Sequence, residues 1–96
     1  MNDKTLKLTF IYDSGHGWLR VPALHLGSFQ ASEFSYWDAK HGVAYLEEDL
    51  DAGAFLQALA LGFPSIIPSI EEKHVDGSSS IRDLPRFPEQ GIQSTR

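Results

Sequence analysis

The chain has no cysteine, and the residues whose types and spacing could do chemistry are its histidines and its clustered carboxylates. His16 sits between two glycines in D-S-G-H-G-W-L-R-V-P at 13–22, with Asp13 three residues upstream. A hydrolytic reading would make His16 the base and Asp13 its orienter. The nucleophile would then have to be Ser14 or a distant serine, and no G-x-S-x-G elbow is present. The simpler reading is a turn, in which glycines accept positive φ while Asp13 and Ser14 bond their own backbone. The four histidines, at 16, 25, 41 and 74, show no H-x-x-x-H or H-E-x-x-H spacing. A His/Asp metal site would have to be assembled from Asp13, His16 and the H-V-D stretch at 74–76. No catalytic residue, metal ligand or cofactor is therefore assigned.

The run E-E-D-L-D at 47–51 carries two readings. Carboxylates in the first turn of a helix complement its dipole, and Asp49 or Asp51 is placed to cap it. A compact array of Glu47, Glu48, Asp49 and Asp51 would also mimic a phosphate backbone, or dock a basic surface on another protein. Nearby, Phe29, Phe34, Tyr36 and Trp37 crowd nine residues, more than one short segment of a small domain should bury. Tyr36 and Trp37 are candidates for a partner-binding surface, where aromatics supply most of the binding energy. His16, in an exposed loop, joins them. Paired carboxylates for glycoside hydrolysis would need a sugar cleft between them, and a domain of this size rarely has room. No phosphate-binding glycine loop is present, which disfavours nucleotide enzymes.

The elements that must hold these residues belong to an α+β domain. The chain has 96 residues, 42% hydrophobic and 22% charged, which suits one modest core. The net charge is −5 and the basic residues are scattered, so direct nucleic-acid binding is disfavoured. Without a membrane span or leader, a soluble cytosolic protein is expected, and its fold must rest on packing alone. Residues 5–12 alternate as a half-buried strand with Leu6, Leu8, Phe10 and Tyr12 on one face. W-L-R-V then resumes an extended run, which reads as a hairpin. V-A-Y-L-E at 43–47 is a short strand, and 49–62 is the main helix, with Gly62 expected to end it in the left-handed conformation. Its apolar stripe is Ala52, Phe55, Leu56, Leu59 and Phe63, and only Gln57 is polar between Asp51 and Gly62, so another chain is one candidate to cover it. A last strand runs through I-I-P-S-I-E-E-K-H-V, where Pro68 argues for an edge position. Ile81, Leu84 and Phe87 are expected to pin the following segment. The prediction is a small antiparallel sheet of three to four strands with the 49–62 helix on one face. It spans a single domain over 1–88, followed by a disordered tail over 89–96.

Three stretches, D-S-G-H-G-W-L-R-V-P at 13–22, V-A-Y-L-E-E-D-L-D-A-G-A-F-L at 43–56 and H-V-D-G-S-S-S-I-R-D-L-P-R-F at 74–87, resemble a group of small proteins. These are encoded by tailed bacteriophages and mobile elements, and have no assigned activity. Leu50 departs from the pattern, standing where a cysteine often follows the acidic run, which weakens a redox or metal role there. The resemblance implies an accessory protein working in the host bacterial cytosol. By analogy of gene context and charge, it implies an inhibitor of a host defence complex, such as a CRISPR effector, that presents a basic surface to the acidic run. Two rivals stand beside it: a self-assembling phage protein that forms a homodimer through its apolar helix, and a small metal-dependent enzyme using His16, Asp13 and His74.

Overall fold

The computed structural model of the protein describes residues 4–88. Five strands form one mixed sheet: β1 (Lys4–Tyr12), β2 (Gly17–Pro22), β3 (Tyr36–Asp38), β4 (Val43–Glu47) and β5 (Ile66–His74). Among the described residues a single α-helix, α1 (Asp51–Gly62), links β4 to β5, and short 3₁₀ turns cover Ala23–His25 and Ser80–Asp83. The strand order is β3-β4-β2-β1-β5. The α+β class and the single main helix agree with expectation. The sheet is larger than the expected three to four strands, and it is not wholly antiparallel. β5 returns through α1 and runs parallel to β1 at the far edge, as such a crossover permits.

Alternation along the strands decides what the helix covers. Leu6, Leu8 and Phe10 of β1, Leu19 and Val21 of β2, and Ala44 and Leu46 of β4 all face α1. Ala52, Phe55 and Leu59 meet them from the helix, and Phe29 packs edge-on against Phe55 with ring centres 5.6 Å apart. Removing a side chain such as that of Phe55 from water contributes roughly 2–3 kcal/mol. Phe63, assigned to this stripe by its spacing, lies beyond the end of the helix and is exposed. The outward face of α1 is mainly small, with Gly53, Ala54, Gln57, Ala58 and Ala60 exposed; Leu61 is its one large apolar residue.

The helix ends differ from expectation in instructive ways. Neither Asp49 nor Asp51 caps α1. The cap position is Leu50, whose N–H donates to Glu47 Oε1 at 2.9 Å, while Asp51 is already helical and points inward. Gly62 is not left-handed; the chain ends the helix with Phe63 N–H donating to Leu59 O. Ile81 and Phe87 are buried as expected and hold the 80–88 segment to the body. There, Trp37 N–H donates to Pro85 O and Phe87 N–H to Ser35 O, both at 2.8 Å, so residues 85–87 close the outer edge of β3. The predicted tail at 89–96 lies outside the described residues. Among the described residues, no helix is long and apolar enough to cross a membrane.

Candidate functional site

The D-S-G-H-G stretch is the turn of the β1–β2 hairpin, which pairs Tyr12 with Gly17. Its glycines are needed for space rather than for positive φ, which neither Gly15 nor Gly17 adopts. A Cβ on Gly17 would lie 2.6 Å from Phe10 Cε1 and 2.8 Å from Tyr12 Cδ1, too close for any side chain. Asp13 organises the turn. Its Oδ1 accepts from the N–H groups of Gly15 and His16, both at 2.9 Å, and from Arg82 Nη2 at 2.8 Å. Its Oδ2 accepts from Ser79 N–H at 3.0 Å and from Arg82 Nε at 2.8 Å. The Asp13 side chain is 0% exposed, and the two-pronged Arg82 pairing is the strong form of such a contact. The Arg82 guanidinium, above all, holds the Asp13 carboxyl far below the usual carboxylate range, and the backbone donors assist.

Arg82 also lies 3.0 Å from His16 Nδ1 and 5.6 Å above the Trp18 ring, on which His16 stacks. From this corner a cleft of about 480 Å³ opens. Trp18 and Tyr36 line it, their rings meeting edge-on, with the exposed Phe34 and Leu50 beside them. Arg82 and Arg86 supply its positive groups, Arg86 lying 4.6 Å over the Tyr36 ring and donating to Glu33 O. Glu47 and Asp49 supply its negative ones. Aromatic faces, guanidinium groups and carboxylates around one recess suit the docking of a peptide segment or side chain that carries an apolar anchor and charge.

The candidate residues divide. His16, Tyr36, Glu47 and Asp49 line the cleft together. Glu48 turns the other way, towards the Tyr12 phenol, whose pKa rises through desolvation first and then through the Glu72 and Glu48 carboxylates. Asp51 is only 4% exposed; its Oδ2 accepts from Ser32 N–H at 2.9 Å, Ser32 Oγ at 2.7 Å and the buried Ser35 Oγ. Trp37 packs in the core against Phe87. The acidic run therefore forms no single row of charge: two of its carboxylates face the cleft, one flanks it and one is structural.

The same geometry bears on the hydrolytic and metal readings. Both Asp13 oxygens are taken up by donors, and His16 Nδ1 faces a guanidinium. His74 is elsewhere, stacked on Tyr12 at 5.0 Å and 3.8 Å from Glu72. Among the described residues, no three His, Asp or Glu side chains are placed to hold a metal ion.

Sequence reasoning missed Trp18, Phe34, Arg82 and Arg86 as lining residues. Phe34 belongs to the aromatic cluster at 29–37, whereas no local signal in the sequence points to Trp18, Arg82 or Arg86, which meet only through the fold. Comparison with family models, with curated proteins and with solved structures finds no match to the chain.

Proposed function

We propose that the protein acts by binding another protein through the cleft, as a phage or mobile-element accessory factor that blocks a host defence complex. The observation that carries the reading is the convergence of Trp18, Tyr36, Arg82 and Arg86 with Glu47 and Asp49 around one recess. Tryptophan, tyrosine and arginine are the residue types that dominate binding energy at interfaces. Glu47 and Asp49, beside the apolar floor, favour a partner with Lys or Arg residues at the rim, of the kind that otherwise hold nucleic acid. The partner is a protein rather than a nucleic acid, given the net charge of −5.

Two measurements test this reading. The first is recovery of partners from a bacterial lysate by the purified chain, compared with Tyr36→Ala and with Asp49→Lys. A nucleic-acid-handling protein enriched by the parent chain and lost from both variants supports it. The same recovery by all three chains overturns it. The second is phage plaque formation on a host protected by CRISPR immunity, with the chain expressed in that host. A rise in plaque number that Tyr36→Ala abolishes supports the inhibitor role. Unchanged plaque numbers remove the CRISPR effector as the target.

A further inference from the structure

The two edges of the sheet are treated differently. Residues 85–87 close the outer edge of β3, whereas among the described residues nothing pairs with the outer edge of β5. β5 is nine residues long and exposed from Ile67 to His74, with Ile67 48% and Ile70 41% accessible. At the ends of the β1–β5 ladder, Lys4 N–H donates to Ser65 O at 3.1 Å and Val75 N–H to Tyr12 O at 2.7 Å. In a parallel ladder this directs the backbone of the odd-numbered β5 residues towards β1. The even-numbered residues, 66 to 74, therefore present their backbone groups outward. Pro68, which has no N–H, lies on that outer side, and Ile66 N–H is taken up by Phe63 O. Ile70, Glu72 and His74 are left as the outward donors of a long, half-apolar edge, a ready template for another strand.

We propose that β5 pairs antiparallel with β5 of a second copy about a twofold axis at Ile70, joining two sheets into one. The register follows from charge and from the available donors. With the axis at Ile70, the two Ile70 residues exchange both backbone bonds, and Glu72 and His74 N–H donate to the carbonyls of Pro68 and Ile66 of the other copy. On the side chains, Ile70 meets Ile70, Glu72 meets Pro68, Glu71 meets Ser69, and the Lys73 stem covers Ile67. No like charges stand directly opposite, and both exposed isoleucines gain an apolar neighbour. An axis at Glu72 would pair Glu71 with Lys73, but it would set two Glu72 carboxylates face to face and leave Ile67 without a partner. An axis at Ser69 would place Ile70 opposite Pro68 and lose the reciprocal bonds. The second copy is the fitting occupant because this edge is self-complementary in one register. The interface lies at the opposite side of the sheet from the cleft and is independent of it.

The absence of cysteine makes the register directly testable. In a hydrogen-bonded antiparallel pair the Cα atoms are about 5.5 Å apart, within disulfide reach. Two Glu72 residues would be offset by roughly 13 Å along the strands. Under mild oxidation, Ile70→Cys should form a disulfide-linked dimer in high yield, whereas Glu72→Cys should stay monomeric on a denaturing gel. The unaltered chain should sediment at twice its 10.7 kDa mass at micromolar concentration. A chain that sediments as a monomer throughout overturns the proposal, as does preferential cross-linking of Glu72→Cys. A dimer in which neither variant cross-links places the contact on another face and overturns it equally. Sedimentation of the unaltered chain decides the matter even if a variant fails to fold.

Discussion

The hairpin turn at Asp13 and the edge strand β5 are built on opposite principles. At Asp13 one carboxylate gathers donors from the turn, from Ser79 and from Arg82, and none of its side chain reaches solvent. Along β5 nine residues rest on a single neighbouring strand and leave half their backbone outward. The first arrangement fixes the geometry of everything around it, including His16, Trp18 and the guanidinium wall of the cleft. The second fixes little beyond its own register against β1. Rigid placement is concentrated where we infer that a partner docks, and open hydrogen-bonding capacity is concentrated where we infer that a second copy joins.

The largest effect should therefore come from breaking the Asp13 corner. Asp13→Ala removes the acceptor of five hydrogen bonds and leaves the Arg82 guanidinium unpaired beside Trp18. A fall in Tm of roughly 10 °C or more is expected by circular dichroism, a large shift for a domain of this size. The pH dependence has a definite sign. The folded-state pKa of Asp13 is depressed from its ordinary value of 3.8, so its contribution to stability is fully present above that value. That contribution is lost progressively as pH falls below it. Asp38 acts in the same direction, its carboxyl held low chiefly by its hydrogen bond from His41. The urea midpoint should stay level from neutral pH to about pH 5 and drop below about pH 4, with a shallower drop in Asp13→Asn.

Asp51 and Gly17 should give the next effects, through burial rather than through the corner. Asp51→Ala would leave the buried Ser35 O–H without its acceptor, although Ser35 Oγ still accepts from Glu47 N–H, and would remove a carboxylate from the first turn of α1. A loss of about 2–3 kcal/mol is expected by urea unfolding, with cleft binding altered only as far as folding is. Asp49→Ala, two residues away in the sequence but exposed in the fold, should leave stability within about 0.5 kcal/mol and weaken partner binding. That reversal of roles between adjacent acidic positions sharpens the distinction between scaffold and surface. Gly17→Ala should cost about 1–2 kcal/mol, because its methyl group would collide with Phe10 and Tyr12.

What could be read from the sequence followed period and punctuation. The alternation of Leu6, Leu8 and Phe10, the spacing of Ala52, Phe55 and Leu59, and the proline in the last strand each report a local regularity that packing preserved. The parallel return of β5 was not legible, because nothing local in I-I-P-S-I-E-E-K-H states which strand it will join. The roles of the acidic run were hidden for a related reason. Asp49 and Asp51 are chemically alike, and only the position of Ser32 and Ser35, many residues earlier, decides that one is buried and the other exposed. Arg82 reaches Asp13 across 69 residues, a pairing that charge alone does not select from the other acidic and basic residues of the chain. Trp37 and Tyr36 are neighbours in sequence but lie on opposite faces of β3, so a cluster of aromatics read as one surface resolves into one core residue and one cleft residue.

The smallest effect on folding should come from the edge, and there the contrast between the two regions is at its sharpest. Ile70→Lys alters an exposed position on a strand bonded on one side only, so monomer stability should change by no more than about 0.5 kcal/mol. In the proposed dimer the same change sets two ammonium groups face to face on the twofold axis, where like charges directly opposite oppose pairing. Sedimentation should shift from dimer to monomer while the unfolding midpoint, measured at a concentration low enough to dissociate the parent chain, stays in place. Partner recovery through the cleft should persist in this monomer, because Trp18, Tyr36 and Arg86 belong to the other side of the sheet. If Ile70→Lys instead destabilised the monomer as strongly as Asp51→Ala, β5 would be part of the rigid body, and the division between a fixed corner and an open edge would fail.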